Sequence, residues 1–464
     1  MVRGLRYEGA RQIPFQLPAY TFYNPPVSVQ RLVNIFPDKL SPQDQGQFSL
    51  RTMQGYEFWL GFNEGTILAT HVFKGVLYVA TKTALLKVQT DKTFVKIGTF
   101  GGAEEIQIAN TASSLVLRVD AALYTHTTAD GDSPVLVTDV DLQPSRGISV
   151  VNNFVFSVID DDSGQFQWSD FNDPDSFGGL SFATAEYRAD QLNALISHRN
   201  EFLLFGNTTI EFWAVVGGGN VVSPRNYASN IGCTAVKTIK SLKDNLFFLG
   251  VDPNNNMADV YIMQGYNPVS IASRHIKEAI SGVDLSNAYA FTHHEQGYDF
   301  YTFVIPSVCS FSYIPVADVW VEYKSWQNSK GNFKADTNVI DCVSFNNTTL
   351  VVARNQYSLF ELKGNKQADD IMFWEMIMPF NTVKPYKRLI SSLKLDMLNG
   401  AGNVAMSFSR DEGRTWSFED WRSVKDNGLQ LQDITWNRLG HFDRCAFRFR
   451  GSEQTQIVGG CIGT

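Results

Sequence analysis

The eight residues from Ser409 to Trp416 (SRDEGRTW) place Ser409, Asp411, Gly413, Thr415 and Trp416 in the spacing S-x-D-x-G-x-T-W, the Asp-box. Its chemistry is hydrogen bonding inside a hairpin turn. The Asp411 carboxylate can accept N–H groups across the turn, Gly413 can take a positive φ, and Trp416 can cover the hairpin. Other groupings offer reactive side chains in spacings that do not use them. Asp160-Asp161-Asp162 before Gly164 supplies carboxylates, but the alternation of a calcium loop and its distal Glu are missing, so it reads as a solvated turn. His293-His294-Glu295 is not the H-E-x-x-H pattern that sets two metal ligands on one helical face, and the chain holds only seven His. Gly217-Gly218-Gly219 has neither the Lys nor the following helix of a phosphate loop, and no nucleophile elbow or dinucleotide fingerprint occurs. Cys233, Cys309, Cys342, Cys445 and Cys461 are widely spaced without a C-x-x-C pair. They read as buried thiols of a protein made in a reducing compartment. The expectation is therefore no catalytic residue, no metal and no cofactor.

A basic stripe remains: Arg438, Arg444, Arg448 and Arg450. Arg448 and Arg450 alternate with Phe447 and Phe449, so a strand would turn the rings inward and the guanidinium groups outward. That face is either simply solvated or a subunit contact with a neighbour's carboxylates, for which arginine is suited. Direct DNA binding is disfavoured by charge: 39 Lys and Arg stand against 47 Asp and Glu, a net -8. A phosphate-neutralising protein needs clustered positive charge. An acidic wall, in contrast, repels the duplex and suits a conduit past which DNA slides.

The elements that would carry these residues are strands. Aromatic residues make up 13% of the chain, and most of the 35 Gly are scattered singly, as turn residues would be. From about residue 66, short apolar runs separated by Gly, Asn and Asp recur in seven units. They begin near residues 71, 105, 147, 192, 246, 289 and 339. A period of roughly 35–50 residues with three or four strands per unit is that of propeller blades; a set of β-sandwiches is the other all-β reading. Residues 1–65 carry Pro14, Pro18, Pro25, Pro26, Pro37 and Pro42, which predict an extended arm without helix or central strands. After the apolar run 371–380 the rhythm changes, placing a boundary near residue 366. The predicted fold is all-β: an N-terminal arm over 1–65, a β-propeller of six or seven blades over 66–366, and a C-terminal β-sandwich or barrel-like domain over 367–464 holding the Asp-box. No signal-peptide core and no apolar run of about 20 residues is present, so neither export by that route nor membrane insertion is expected.

The order of several phrases resembles a known family. These are Val33-Asn34-Ile35-Phe36-Pro37, Leu50-Arg51-Thr52-Met53-Gln54-Gly55, Asn172-Asp173-Pro174-Asp175-Ser176-Phe177, and Ala185-Glu186-Tyr187-Arg188-Ala189-Asp190. Next come Leu204-Phe205-Gly206-Asn207-Thr208-Thr209-Ile210-Glu211-Phe212-Trp213, Ile231-Gly232-Cys233 and Gly297-Tyr298-Asp299-Phe300-Tyr301. Trp436-Asn437-Arg438-Leu439-Gly440, leading to Phe447-Arg448-Phe449, completes the series. Together they resemble the packaged-DNA stabilisation proteins, also called tail hub or nozzle proteins, of short-tailed bacteriophages (podoviruses). Met53 and Gln54 depart from the family's T-P-G opening and leave the shape of that turn open. The resemblance implies a structural virion protein, made in the host bacterial cytoplasm, of which about six copies join in a ring. That ring would sit below the portal and its adaptor, continue the DNA channel and help retain the genome. It would also dock tailspikes or tail fibres and a plug or needle, with DNA passing through unread. Two other classes stay open from residues alone. A glycan-binding or glycan-cleaving propeller would explain the Asp-box and the many Trp and Tyr, but would need facing carboxylates. A WD-type scaffold would need repeated Gly-His and Trp-Asp dipeptides, which are absent.

Overall fold

Apolar residues at alternate positions, broken by two-residue turns, fold the middle of the chain into antiparallel hairpins. Ile67–Phe73 and Val76–Thr81 turn on Lys74 (φ 49°) and Gly75 (φ 77°). Asn152 and Asn153 (φ 49° and 64°) and Asn346 and Asn347 (φ 49° and 59°) make the same turn in the third and seventh repeats. Positive φ at both central residues is the type I′ geometry, whose twist matches that of paired strands. The structure, a computed structural model, describes all residues except 1–11, 15–16, 19, 26–27, 40–47, 128–132, 186, 189, 218–220, 253–256, 382–387, 399–401, 426–430, 443 and 464. It has two units.

The propeller unit comprises Phe58–Cys309 and Asn338–Leu362. Five four-stranded sheets follow one another over 67–99, 106–136, 145–184, 192–229 and 240–270. The sixth repeat contributes the hairpin Tyr289–Glu295 and Tyr298–Ile305. In the seventh, Val339–Phe345, Thr348–Ala353 and Ser358–Leu362 are completed by Tyr56–Gly61, a strand from before the first repeat. First strands of neighbouring repeats lie side by side from the first to the fourth and from the fifth to the seventh, the fourth and fifth share a core, and Val339–Phe345 lies beside Ile67–Phe73, so the ring closes at seven. Polar side chains tie these inner strands together. His71 Nε2 is 2.8 Å from Asn110 Oδ1, Gln107 Oε1 accepts the Ile148 N–H at 3.0 Å, and Ser149 Oγ accepts the Ser197 N–H at 3.1 Å. Between sheets the core is aromatic. Phe156, Phe166, Trp168, Phe202 and Trp213 form one cluster, with the Phe156 and Phe202 ring centres 4.8 Å apart. Rings of this size bury much apolar area per residue, which is where the aromatic share of the composition goes. The propeller reading holds, and the blade number is seven.

The second unit comprises residues 1–57, 310–337 and 363–464. One of its sheets runs in the order Ile35–Lys39, Phe48–Thr52, Gln456–Gly463, Arg388–Leu398 and Gln432–Phe442, with Gln12–Pro14 also paired to Gln456–Gly463. The other runs in the order Val319–Glu322, Ser28–Val33, Trp374–Asn381, Arg444–Gly451, Gly402–Ser409 and Asp420–Val424. Trp436 of the first sheet meets Phe449 of the second at 5.6 Å, and Phe442 meets Phe447 at 6.1 Å, which makes the pair a sandwich.

Two readings of the N-terminal region change. It is not only an arm that packs on something else: it contributes strands to both sheets of the sandwich. Ser28–Val33 is moreover a central strand, paired on both sides, against the expectation from proline density of no central strand. The physical reason is the proline-free window 27–36, while Pro14 and Pro37 fall in strands at the sheet's margin, where a missing N–H is tolerated. The units also part near residues 57 and 362 rather than 65 and 366, and residues 310–337, inside the predicted propeller, belong to the sandwich unit. At the departing Met53-Gln54-Gly55 turn, Met53 is buried and its N–H reaches Asn34 O at 3.0 Å. Gly55 passes so close to the Lys366 backbone that a Cβ would lie 1.9 Å from its carbonyl oxygen.

Candidate functional site

The strand Arg444–Gly451 sets the pattern of the charged site. Phe447 and Phe449 are fully buried between the two sheets, and Arg448 and Arg450 stand on the opposite face. Register then decides their neighbours. Arg450 lies opposite Glu375, which lies opposite Val33; Val33 in turn lies opposite Glu322. Arg31, two residues back on the same strand, therefore reaches both carboxylates. It makes a bidentate pair with Glu322 (Nε to Oε1 2.7 Å, Nη2 to Oε2 2.8 Å) and donates Nη1 to Glu375 Oε1 at 3.0 Å. Arg450 donates to Glu375 Oε2 and to Glu419 Oε1, both at 2.8 Å. Lys324 Nζ lies 2.6 Å from Glu322 Oε2, and Arg448 donates Nε to Ser407 Oγ at 3.0 Å.

The result is an alternating row, Lys324–Glu322–Arg31–Glu375–Arg450–Glu419, with Arg448 3.6 Å beyond. Aromatic rings cover it. Arg450 sits 5.2 Å over Trp326, Arg448 4.7 Å over Trp416, and Arg31 5.2 Å over Tyr23. Burial alone would push the Glu322 carboxyl up, but the attraction of Arg31 and Lys324, with their hydrogen bonds, holds it well below the usual carboxylate range. Burial likewise opposes the charge on Arg31, and Glu322 and Glu375 outweigh it, so that pKa is raised. A carboxylate held this way is an anchor and not a proton shuttle. The row joins three chain segments, around residues 31, 322 and 375–450.

Asn34 reinforces the same junction from a buried left-handed position, φ 56°. Its Nδ2 donates to Lys324 O at 2.8 Å and Phe373 O at 2.7 Å, and its Oδ1 accepts the Lys324 N–H at 2.8 Å. Asn34→Ala leaves three partly buried backbone groups without this partner and strains the turn. The expected loss is about 2–3 kcal/mol, read as a lower midpoint in urea unfolding of the full chain.

The Asp-box occupies the loop between Gly402–Ser409 and Asp420–Val424. Asp411 Oδ1 accepts the Thr415 N–H at 2.8 Å and Oδ2 accepts the Thr415 hydroxyl at 2.6 Å; Ser409 Oγ accepts the Gly413 N–H at 2.8 Å. The Thr415 hydroxyl and N–H, with Ser409, lower the Asp411 carboxyl to about 2. Gly413 has φ 86°, and a Cβ there would meet Val29 at 2.7 Å. Trp416 does more than cover its hairpin: it packs with Val29, Ile377 and Ala446 on the face that carries the charged row.

The four arginines of the stripe part company. Arg448 and Arg450 are largely covered and engaged by the chain's own side chains, which corrects the reading of a solvated face. The covering residues, Trp326 and Glu419, are far from them in sequence. Arg438 is exposed, with φ 61°, beside the register shift between Ile390 and Ser392. The side chain of Arg444 lies outside the described residues. Arg31, Glu322, Glu375 and Glu419 escaped the sequence reading; the available signal was an arginine inside the apolar run 27–36.

The remaining groupings are structural in their details. Asp161 Oδ1 accepts the Ser163 N–H at 3.0 Å, and Asp160 pairs with Arg146 at 2.9 Å. His293 stacks on Phe300 at 4.8 Å, and His294 Nδ1 lies 2.9 Å from Asp299 Oδ1. Among the described residues no group of three His, Cys, Asp or Glu side chains could hold a metal ion, and no helix is long and apolar enough to cross a membrane. Gly218 and Gly219 lie outside the described residues.

Comparison with known proteins gives two family-level matches. Residues 30–365 match the model described as bacteriophage P22 Gp10, beta-propeller, and residues 374–459 match that described as bacteriophage P22 Gp10, beta-sandwich. No curated protein matches the chain. Among solved structures, the Pan2 WD40 domain of Neurospora crassa aligns with a TM-score of 0.40 at 10% identity, covering 67% of this chain and 94% of that one. An exo-beta-1,3-galactanase from Phanerochaete chrysosporium aligns with a TM-score of 0.29 at 9% identity, covering 89% and 100%.

Proposed function

The chain belongs to the bacteriophage P22 Gp10 family, the DNA-stabilisation proteins of phage tails, and from that premise we propose that it is the ring-forming hub, or nozzle, of the tail. As a family member it is a structural component of the virion tail. In the proposed role, about six copies close a cyclic ring below the portal and its adaptor. The ring extends the DNA channel, helps retain packaged DNA, and presents surfaces on which tailspikes or fibres and a plug or needle dock. The protein is made in the host cytoplasm and acts without bond chemistry or a cofactor.

The observation that carries this reading is the match of both modules, in order, from residue 30 to residue 459. Two features support it. Each copy brings a net charge of -8, the sign that repels DNA phosphates overall. The carboxylates and arginines of the charged row pair with one another across three chain segments, as suits a part that must stay rigid under load.

The test is quantitative mass spectrometry of density-purified, DNA-filled particles, counting this chain against the portal subunit. The expected ratio is about one to two, the value for about six copies on a twelve-subunit portal. Absence of the chain from filled particles would reject the tail assignment.

A further inference from the structure

The outer edge of the fourth blade carries a cleft of about 700 Å³ that the hub reading does not use. Its geometry follows from a break in the ladder. Glu211 pairs with Ala228 and Trp213 with Pro224, so three residues, Arg225, Asn226 and Tyr227, stand opposite Phe212 alone. A bulge of this kind re-aims side chains, and here the cleft is lined by Tyr187, Glu211, Trp213, Arg225, Asn226 and Tyr227.

The lining is held before any ligand arrives. Tyr227 stacks flat on Tyr266, with ring centres 4.6 Å apart and planes 5° apart, so one face is backed and the ring stays substantially exposed. The Tyr266 hydroxyl donates to Glu201 Oε1 at 3.1 Å, and the same oxygen accepts Arg225 Nε at 2.8 Å. Glu211 is buried. Its Oε1 accepts the Tyr187 N–H at 2.9 Å and its Oε2 accepts Trp213 Nε1 at 3.1 Å, which fixes the carboxylate plane. Rigid rings beside planar polar groups lower the ordering cost of binding.

We infer that this cleft binds a neutral saccharide. A sugar ring has apolar C–H faces, which fit against an aromatic ring, and a rim of hydroxyls, which fit the carboxylate, amide and guanidinium placed around it. Arg225 is already neutralised by Glu201, so an anionic sugar gains less than a neutral one. A peptide added as an extra strand is disfavoured, because the edge strand Val222–Ser229 is interrupted by Pro224 and the bulge. The inference goes beyond the hub reading and does not depend on it.

The experiment uses the purified full chain and a panel of neutral gluco-, galacto- and manno-oligosaccharides, read by saturation-transfer NMR and titration. At least one class is expected to bind, with Tyr227→Ala and Asn226→Ala each weakening it about tenfold or more. Trp421→Ala, an exposed aromatic of the other unit, should bind as wild type, and equal melting temperatures verify folding. No binding by the wild type, or binding untouched by both cleft variants, overturns the inference. Binding of a proline-rich peptide at Tyr227 in place of any sugar overturns it too. Particle counting on phage carrying Tyr227→Ala reads the hub proposal separately, since the substitution should leave copy number unchanged.

Discussion

Glu375→Ala is expected to lower the stability of the full chain by about 3–5 kcal/mol, among the largest effects a single substitution can have here. Glu375 is 2% exposed and bonded on one oxygen by Arg31 and on the other by Arg450. Removing it leaves two guanidinium groups facing each other across a covered site, and neither can turn to water without disturbing the rings above it. The result should appear as a lower midpoint in urea unfolding, with the slope unchanged if the native compactness survives. Glu104→Ala is the control: Glu104 pairs with Lys82 on an open surface, and its loss should stay within about 0.5 kcal/mol. Equal effects of the two substitutions would show that the buried row contributes no more than a surface pair.

Acid should find the same weak point. Because the Glu322 pKa is depressed in the folded protein, its contribution is complete above the unfolded glutamate value of about 4.3 and is lost as pH falls below it. Stability near pH 7 should therefore be insensitive to this group and should decline only under strongly acidic conditions. Glu322→Gln should flatten that decline while lowering stability at neutral pH.

The second large effect concerns the N-terminal strand. A chain lacking residues 1–33 is expected to lose the sandwich unit altogether, and residues 363–464 alone should not give a folded domain. Without Ser28–Val33, the strand Trp374–Asn381 becomes an open edge at its buried Met376 and Ile377, and the fully buried Leu32 and Val33 are gone. Each of those two side chains contributes about 1.5–3 kcal/mol by burial, and Arg31 takes its two ion pairs with it. Solubility and limited proteolysis of 363–464 measure this directly, and a synthetic peptide spanning residues 20–39 should restore protection by filling the gap as a strand. A dispersed amide spectrum from 363–464 alone would contradict the expectation.

What could be read ahead of the structure was local. The seven repeats are legible because each hairpin carries its own signature: alternation within the strands, and pairs such as Lys74-Gly75 or Asn346-Asn347 at the turn. Phe447 and Phe449 could be assigned inward by the same alternation. Alternation does not say what lies over the outward face, and so Arg448 and Arg450 were left in solvent. Their cover comes from Glu419, Glu375 and Trp326, and nothing near residue 450 announces residues 31 and 75 positions away, or Trp326 farther still. Ser28–Val33 was missed for the same reason. Its hairpin partner Phe22–Asn24 is only three residues long and carries Pro25 at its end, and its other partners lie near residues 322 and 376, so the local signal is weak and the neighbouring prolines argue against it. The Asp-box turn was legible because its bonds run between residues at most four apart, whereas Trp416 also serves a surface built from distant segments.

The late completion of the sandwich has a consequence during synthesis. Ser28–Val33 is among the first segments to leave the ribosome, yet the strands that complete its unit, Arg444–Gly451 and Gln456–Gly463, are among the last. At roughly 5–20 residues per second, the interval is on the order of 20–80 s. Until residues 319–381 follow, that apolar strand has only Phe22–Asn24 beside it, and Tyr56–Gly61 waits in the same way for the strands of the seventh blade. Folding chaperones of the host then become a determinant of yield, and slowing translation late in the message should raise the aggregated fraction more than slowing it early.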